Sequence, residues 1–344
     1  MTTTARPATT RRFPPRLWLQ ALQTVDIPGV ALADVDPITR WLILSRASVV
    51  IMTATSAFIG GLLAIRDDVF DIGLFLLTAL GLVLAHAGSN LVNDFWDFRR
   101  GTDSEDSPRI NYGPHPLTEG SAAWRSFVLV TLAILTVAAA IGIYLTAVTG
   151  PLLLVFALSG AFVLMLYSGG PLPLKYFGFG EIAVFIVWGP LMIGGTYYVM
   201  DETLPAWVIL ASVPYALGVT TVLFGKHLDK LAFDREHHIR TMPMLLGQSL
   251  ARRFTQVLSV AMYVSVIALA VWQTMPGLLL VAGAIPLLFL LMRVYNEPKP
   301  GEPPEGYRGW PLWFVGIAFV HNRRFGILFI TGLILQLAGE AAIG

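Results

Sequence analysis

The sequence contains one apolar run after another, each long enough to span a lipid bilayer. A transmembrane helix needs about 20 mostly apolar residues, and within lipid only helices and closed barrels satisfy every backbone hydrogen bond. Of the 344 residues, 55% are hydrophobic and 13% are charged, whereas soluble domains carry about 25% charged residues. These features predict an all-α polytopic membrane protein. We expect nine spans, at 41–65, 72–93, 124–148, 151–168, 181–200, 205–225, 254–274, 276–293 and 326–343.

The two ends of the chain are less regular. Residues 1–40 are rich in Thr, Arg and Pro. They predict a cytoplasmic tail, in which 14–23 either form a short interfacial helix or stay disordered. Residues 41–344 then form the membrane domain. Near the other end, 310–320 is apolar, but a His-Asn-Arg-Arg sequence follows it, so we expect 310–322 to be an interfacial element.

The positive charges predict how the chain is oriented in the membrane. If the N-terminus is cytoplasmic, every Lys and Arg except Arg66 falls on the cytoplasmic side. Because cytoplasmic segments carry an excess of Lys and Arg, we expect the even-numbered spans to end inside and the C-terminus to lie outside. The chain has no cysteine, which excludes disulfides and thiolate metal sites.

A polar motif at 90–103 (Asn-Leu-Val-Asn-Asp-Phe-Trp-Asp-Phe-Arg-Arg-Gly-Thr-Asp) follows the apolar part of the second span. On a helix at 100° per residue, His86, Asn90, Asn93 and Asp97 fall within about 40° of one another. Polar groups at membrane depth are costly and usually face a cavity or a partner. The alternative interpretation is a solvated helix end with a charged cap.

This first motif offers oxygen ligands for a hard cation. Its carboxylates are Asp94, Asp97 and Asp103, and Asn93 adds an amide oxygen. Mg²⁺ favours such ligands and bridges carboxylates to a substrate phosphate. We therefore predict a Mg²⁺ site in the cytoplasmic loop after the second span.

A second charged segment, 226–240, follows the sixth span and lies on the same face of the membrane. It contains Asp229 and Asp234, with Lys and Arg around them. Two such clusters are what a Mg²⁺-bound diphosphate requires, because carboxylates hold the metal and cations neutralise the remaining charge. The basic residues of this segment include Lys226, Lys230, Arg235 and Arg240.

The spacing between Asp229 and Asp234 conflicts with an unbroken helix. Residues five apart point about 140° away from each other, whereas residues four apart nearly align. Either the helix ends or bulges between the two aspartates, as π-bulges do at functional sites, or only one of them is a ligand.

A third cytoplasmic segment, 167–181, is rich in Gly and Pro, which permit tight turns. Lys175 is its only basic residue. The segment is either an ordinary connection or a loop from which Lys175 reaches the diphosphate and Tyr167 lines the chamber. Arg46, in the first turns of span one, is either a snorkelling residue or another phosphate ligand.

The two motifs together resemble the UbiA superfamily of intramembrane prenyltransferases. Asn93-Asp-x-x-Asp97, then Gly101-x-Asp103, then a second Asp-rich segment four helices later, is similar to the paired motifs of this family. The spacing is closest to the menaquinone branch, which prenylates 1,4-dihydroxy-2-naphthoate. The chain departs from the family pattern in the five-residue gap of the second motif and in an insertion at 294–325.

The resemblance implies nine helices around a central chamber, capped on the cytoplasmic side by the motif loops, in a bacterial or archaeal cell membrane. It implies Mg²⁺-dependent transfer of a prenyl group from a prenyl diphosphate to an aromatic acceptor, in lipoquinone synthesis. No nucleic acid or obligate protein partner is expected. The implied metal ligands are Asn93, Asp94, Asp97, Asp229 and Asp234. The implied catalytic residues are Asp97, Asp103, Asp234, Lys175 and Tyr167, and the implied diphosphate ligands are Arg46, Lys175, Lys226, Lys230 and Arg235.

Two other functions fit parts of the pattern. A membrane terpene cyclase of the same fold uses the same Mg²⁺ chemistry without an acceptor, so product analysis separates it from a transferase. A cation or organic-solute transporter would use the stripe from His86 to Asp97 as a pathway. Transporters place their coupling sites near the bilayer midplane, whereas both motifs here lie at one face, which disfavours a transporter.

Overall fold

The computed structural model describes residues 14–24, 27, 30–103, 107–109, 113–118, 122–171, 173–307 and 309–343. Within these ranges the chain is helical and contains no strand. Its helices are α1 (Pro14–Ala21), α2 (Pro37–Leu44), α3 (Ala47–Arg66), α4 (Ile72–Arg99), α5 (Trp124–Thr149), α6 (Pro151–Leu166), α7 (Gly180–Asp201), α8 (Ala206–Asp229), α9 (Leu231–Glu236), α10 (Met242–Leu246), α11 (Gln248–Trp272), α12 (Pro276–Asn296) and α13 (Phe314–Ile343).

Eight of these helices are long and apolar enough to cross a membrane: α3, α4, α5, α7, α8, α11, α12 and α13. The predicted class, an all-α polytopic membrane protein, is thereby confirmed. The apolar helix α6 has 16 residues, fewer than the roughly 20 that a span needs. The count of nine spans therefore stays a prediction.

The end of the chain differs from expectation, because a single helix, α13, replaces both the interfacial element at 310–322 and the span at 326–343. The polar residues in its first part do not interrupt it. His321 and Asn322 are buried between helices, and the neighbouring Arg323 and Arg324 point outward. The buried face of α13 thus carries the Asn322 amide and the His321 ring, while the outward face carries the two arginines.

The first predicted span is also divided. Asp36 caps α2 by accepting hydrogen bonds from the backbone of Ile38 and Thr39, so the helix begins at Pro37. It ends at Leu44, and Arg46 has left-handed backbone angles, with φ of 58°. Arg46 therefore lies at the junction between α2 and α3, not in the first turns of a continuous span.

The N-terminal helix α1 packs on α2. Its Leu17 and Ala21 belong to a small buried cluster that includes Ile43 of α2, and the Trp18 Nε1 donates a hydrogen bond of 3.0 Å to Asp36. A helix therefore occupies much of 14–23, the segment for which a helix was one of two expectations. Its position at the membrane interface stays a prediction.

The centre of the protein is α8, the most buried of the long helices. It packs against α7, α11 and α13, and small residues allow close approach. At Gly218 a side chain would collide with Asn322 of α13, and at Gly225 it would collide with the backbone of Phe314. The outer helices α5 and α6 expose Leu, Ile and Phe side chains, as expected for surfaces that face lipid.

Helix α7 widens into a π-helical turn at Val187–Gly194. Pro190 lies inside this turn, and because it has no backbone N–H it removes one regular helical hydrogen bond. Ser56 of α3 donates a hydrogen bond of 2.8 Å to the carbonyl of Trp188. This contact holds α3 against α7 just below the polar residues of α4.

Candidate active site

The first motif lies on the last turns of α4, and not in a loop after the span. The helix continues to Arg99, so that Asn93, Asp94 and Asp97 are all helical. Gly101 then takes φ of 70°, a left-handed conformation that favours glycine after a helix. The chain turns back, and the backbone N–H groups of Thr102 and Asp103 donate to the carbonyl of Asp97. Asp103 is thereby returned toward the helix end.

A polar cavity lies at this end of the bundle, and it brings together most of the predicted site. Its walls come from the junction of α2 and α3, the end of α4, the loop after it, the segment after α6 and the end of α8. The predicted residues that line it are Arg46, Asn93, Asp94, Asp97, Asp103, Tyr167, Lys175, Lys226 and Lys230.

Three oxygen atoms in the polar cavity are suited to a metal ion. Asn93 Oδ1 and Asp97 Oδ1 are buried and have no hydrogen-bond partner among the described residues. Asp103 Oδ2 is also buried and lies 3.3 Å from His115 Nε2. A buried carboxylate or amide oxygen without a partner is costly. Oxygen donors of this kind are the ligands of Mg²⁺, so the donor set fits that cation.

Asp94 is engaged differently. Its Oδ1 accepts a hydrogen bond of 2.8 Å from Arg46, and Arg109 binds both of its oxygens, at 3.1 and 2.8 Å. The side chain is almost fully buried. Two arginines therefore neutralise this carboxylate, and its role as a metal ligand stays a prediction.

Lys175 binds the other oxygen of Asp97. Its Nζ lies 2.6 Å from Asp97 Oδ2 and both side chains are largely buried. Burial lowers the pKa of Lys175, but the charge of Asp97, its hydrogen bond and the neighbouring Tyr176 and Asp103 together raise it by more, so the pKa lies above its ordinary value. The Lys175 ammonium is therefore charged. It occupies Asp97 Oδ2 and leaves Asp97 Oδ1 open to the cavity.

The cavity has an excess of positive charge. Five Lys or Arg side chains line it, against three carboxylates. Burial raises the pKa of Asp103, but its contact with His115 and the charge of Lys175 together lower the pKa by more than burial raises it. The pKa of Asp103 therefore lies below its ordinary value. Asp103 is thus ionised. Lys230 is balanced by Asp234 from outside the cavity, and the positive charge that remains favours an anionic ligand. The five cations are Arg46, Arg109, Lys175, Lys226 and Lys230.

The second motif is broken between its two aspartates. Helix α8 ends at Asp229, and α9 begins at Leu231. Asp229 accepts hydrogen bonds of 2.9 Å from the backbone N–H groups of Phe314 and Val315 and pairs with Lys299 at 3.6 Å. It thus caps α13 and does not line the polar cavity, contrary to its predicted place in the metal set.

The other residues of the second motif also divide into those that line the cavity and those that do not. Asp234 is fully buried and accepts hydrogen bonds from Lys230 at 2.7 Å and from Thr241 at 3.4 Å. It holds Lys230, which lines the cavity, but does not line the cavity itself. Arg235 is exposed and outside the cavity. The structure therefore does not bring Asp234 or Arg235 to the predicted site.

Several residues in the lining of the cavity or beside it were not predicted; Arg109 and His227 line it, and His115 lies beside Asp103. Arg109 anchors Asp94, and its Nη1 donates to the carbonyl of Gly113 at 2.8 Å. His115 forms a group with Asp94 and Asp103 whose potential ligand atoms lie within 4.8 Å of one another. His227 of α8 forms a buried pair with Glu181 at 2.6 Å. The loop that carries Arg109 and His115 follows the first motif. In the sequence, its basic residues were the only signal that it folds back onto that motif.

The family follows from the sequence as well as from this geometry. The profile of the UbiA prenyltransferase family matches residues 53–315. The chain belongs to the UbiA prenyltransferase family. As a UbiA protein it is a prenyltransferase, and the polar cavity built from both motif segments is the corresponding candidate active site.

Named relatives agree with the menaquinone branch. A 1,4-dihydroxy-2-naphthoate octaprenyltransferase of Bacillus subtilis (strain 168) is 25% identical over 294 residues, which are 83% of this chain and 90% of that protein. One from Mycobacterium leprae (strain TN) is 32% identical over 231 residues, 66% of this chain and 74% of that protein. The human UbiA prenyltransferase domain-containing protein 1 is 28% identical over 290 residues, 83% and 80% respectively.

Solved structures share the fold. A UbiA homologue from Archaeoglobus fulgidus bound to GPP and Mg²⁺ has a TM-score of 0.57 at 15% identity, covering 84% of this chain and 99% of its own. A digeranylgeranylglyceryl phosphate synthase has a TM-score of 0.56 at 18% identity, covering 88% and 98%. At these identities the likeness establishes the helical architecture alone.

Proposed function

We propose that this chain is a Mg²⁺-dependent transferase that moves a prenyl group from a prenyl diphosphate to an aromatic acceptor such as 1,4-dihydroxy-2-naphthoate, in lipoquinone synthesis. The naphthoate octaprenyltransferases among its relatives support this acceptor class. The observation that carries the proposal is the pair of buried oxygens without a hydrogen bond, Asn93 Oδ1 and Asp97 Oδ1, in a cavity that Asp103 and five Lys or Arg side chains also line. Such a cavity suits a metal together with a diphosphate, and neither alone.

The residues divide the work of binding. Asn93, Asp97 and Asp103 would hold Mg²⁺ through Asn93 Oδ1, Asp97 Oδ1 and a carboxylate oxygen of Asp103. When bound, the ion supplies Lewis-acid stabilisation of the negative charge that develops on the departing diphosphate. Lys175 and Lys230 are both fixed by carboxylates, so their ammonium groups are placed before the substrate arrives. Preorganised cations of this kind stabilise developing charge without a cost of reorganisation.

Tyr167 faces the same cavity from the end of α6. Burial, reinforced by the negative charge of Glu181, raises the pKa of Tyr167 well above its ordinary value. The phenol therefore stays neutral, so it cannot act as a nucleophilic phenolate toward an allylic cation. A neutral aromatic ring next to the reacting carbon instead stabilises positive charge through its π face.

The proposal includes an orientation. The polar cavity and the second motif lie at the same end of the bundle, together with nearly all of the Lys and Arg residues that the structure describes. By the positive-inside rule this end is cytoplasmic. We place the N-terminal tail and the active-site segments in the cytoplasm of a bacterium or archaeon, the helices in its cell membrane, and the C-terminus outside.

The test is product analysis with the purified protein in lipid vesicles. Prenyl diphosphates of several lengths are supplied with Mg²⁺ and 1,4-dihydroxy-2-naphthoate, and the lipid extract is examined by mass spectrometry. We expect a prenylated naphthalene product that disappears with EDTA and returns with added Mg²⁺. Full activity in excess EDTA would refute the metal dependence, and a cyclised hydrocarbon formed without acceptor would identify a terpene cyclase.

A further inference from the structure

His86 of α4 is a buried ionisable residue that the proposed chemistry of the polar cavity leaves unused. It lies seven residues before Asn93 on the same face of the helix, which places it about 10 Å deeper in the membrane. An intramembrane ionisable residue is costly and usually has a function. Its surroundings show what that function is.

Only one of the two ring nitrogens of His86 is used by the fold. Nδ1 forms a hydrogen bond of 2.7 Å with Thr53 Oγ1 of α3. Nε2 has no hydrogen bond to any residue in the part of the chain that the structure describes, and it is not among the fully enclosed polar atoms. A histidine that served only to join α3 to α4 would need Nδ1 alone. Nε2 therefore remains open to a ligand.

The ring is held in place on two sides. Thr53 is fully buried, and Trp188 of α7 meets the imidazole edge to face, with ring centres 5.0 Å apart and an interplanar angle of 85°. Trp188 Nε1 is itself buried without a hydrogen-bond partner among the described residues. Two aromatic rings with unused polar atoms thus lie side by side, below the polar cavity and on the stripe that leads into it.

We propose that His86 Nε2 binds a ring hydroxyl of the aromatic acceptor, which makes His86 a residue that determines acceptor specificity. This inference rests on the proposed function. The carboxylate of 1,4-dihydroxy-2-naphthoate is attracted to the cations of the polar cavity, so the hydroxyl remote from that carboxylate, at position 4, points deeper. The carboxylate at position 2 and the hydroxyl at position 4 lie on the same ring, so that ring with a hydrogen bond at each group spans a length comparable with the roughly 10 Å between His86 and Asn93 along α4.

The hydrogen bond can form with either tautomer. If Nδ1 carries the proton and donates to Thr53, Nε2 accepts from the hydroxyl; if Thr53 donates to Nδ1, Nε2 donates to the hydroxyl oxygen. In both cases the bond to Thr53 orients the ring. A site that hydrogen-bonds a substrate hydroxyl discriminates against the analogue that lacks it, because the buried polar group is then left unpaired.

The test compares two probes that differ in that hydroxyl. Binding of 4-hydroxy-2-naphthoate and of 2-naphthoate to the purified protein is measured by titration calorimetry, with Mg²⁺ and inorganic diphosphate present and no prenyl donor. We expect the hydroxylated probe to bind about tenfold more tightly to the wild-type protein, as one added hydrogen bond in a buried site allows. In His86→Phe the ratio falls to about one, while 2-naphthoate binds as before.

Two further variants complete the comparison. His86→Gln places an amide near the position of Nε2 and is expected to keep most of the preference. His321→Phe removes another buried histidine, bonded to Tyr263 at 2.9 Å and remote from the polar cavity, and is expected to keep the full preference. If His86→Phe does not fold, His86→Ala removes the same nitrogen.

The outcomes separate this inference from the proposed function. A preference for the hydroxyl that persists in His86→Phe and His86→Ala, or its absence from the wild-type protein, overturns the role of His86. Prenylation of the naphthoate is assayed separately. A wild-type protein that shows the preference but yields no prenylated naphthalene contradicts the proposed function and leaves the His86 site standing.

Discussion

At the scale of single residues, aspartates with the same carboxylate differ in the groups around them. Asp94 is neutralised by two arginines, and Asp229 accepts from two backbone N–H groups. Asp97 keeps a buried oxygen without a hydrogen-bond partner among the described residues, and Asp103 holds one oxygen 3.3 Å from His115 Nε2, a nitrogen that can itself bind a metal. A carboxylate whose oxygens are all engaged stabilises the fold, whereas one with an unpaired oxygen is available to a metal.

This difference predicts a contrast between Asp97→Asn and Asp229→Asn. Removing one charged metal ligand should lower the rate of transfer by roughly two to three decades. Asp229→Asn should keep most of the rate but lower the stability by about 1 kcal/mol, because it weakens a helix cap. Single-turnover kinetics and thermal unfolding of both variants measure the two effects.

Asp234 belongs to the same series. Asp234 lies outside the cavity with both oxygens engaged, but it fixes Lys230, which lines the cavity. Asp234→Asn removes the charged partner of Lys230, so we expect it to lose nearly all activity through the misplaced ammonium. An active Asp234→Asn would show that the second motif is not required. An Asp229→Asn variant as inactive as Asp97→Asn would show that Asp229 leaves its cap and becomes a ligand.

Arg109 gives a prediction about stability. It forms a bidentate pair with Asp94 in a nearly water-free position. Burial lowers the pKa of Arg109, but the charge of Asp94, its hydrogen bonds and the charges of Asp103 and Asp97 together raise the pKa above its ordinary value. Arg109→Met leaves that carboxylate short of a partner and should destabilise the protein by about 3 to 5 kcal/mol. The thermal unfolding midpoint in detergent measures this.

The matched control is Arg99→Met, which removes an exposed arginine at the end of α4. We expect its midpoint to stay within the range of ordinary surface substitutions, about 0.5 kcal/mol. Equal losses in the two variants would mean that the pairing with Asp94 contributes little.

At the scale of helices, apolar length predicted where the spans lie, but not how they end. The span at 72–93 continues as helix to Arg99 because its polar residues share one face, and the cavity receives them. The His-Asn-Arg-Arg sequence at 321–324 predicts an interruption of the helix, yet His321 bonds to Tyr263 of α11 and is buried. Such partners come from distant parts of the chain, so local sequence cannot reveal them. For the five-residue spacing of Asp229 and Asp234, a helix end between them was one of the predicted alternatives, and α8 does end at Asp229.

Helix packing gives a prediction at Gly225 of α8. A β-carbon there would lie 2.8 Å from Tyr295 Oη, 2.8 Å from the Val315 nitrogen and 2.9 Å from the Phe314 carbonyl carbon. Two of these are backbone atoms that cannot turn aside, so α13 must move. Gly225→Ala should therefore lower the free energy of unfolding by about 1 to 3 kcal/mol, as measured by denaturation in detergent.

Gly142 of α5 provides the control, because a β-carbon there would meet no atom within 4 Å. Gly142→Ala should leave stability unchanged or raise it by up to about 1 kcal/mol, since alanine is the better helix former. If both variants lose stability equally, close packing of α8 on α13 is not the cause.

At the scale of the whole molecule, function and orientation both depend on the difference between the two ends of the helical bundle. The two motif segments, both predicted from sequence to lie on one face, do meet at one end of the bundle in the polar cavity. Their pairings could not be predicted, because the loop that carries Arg109 and the junction that carries Arg46 have no regular pattern. At the opposite end Arg66 binds Gln273 and packs over Trp207, so the one predicted outer cation is satisfied by the protein itself.

The orientation can be tested by labelling, because the chain has no cysteine of its own. Arg235 is exposed at the end with the polar cavity, whereas Thr203 and Ala341 are exposed at the other end. The excess of Lys and Arg at the first end predicts that it is cytoplasmic. In sealed cells, Thr203→Cys and Ala341→Cys should react with a membrane-impermeant thiol reagent, and Arg235→Cys should react only after the membrane is opened. Reaction of Arg235→Cys in sealed cells would reverse the orientation and place the prenyl diphosphate site outside, where the proposed function has no supply of its substrate.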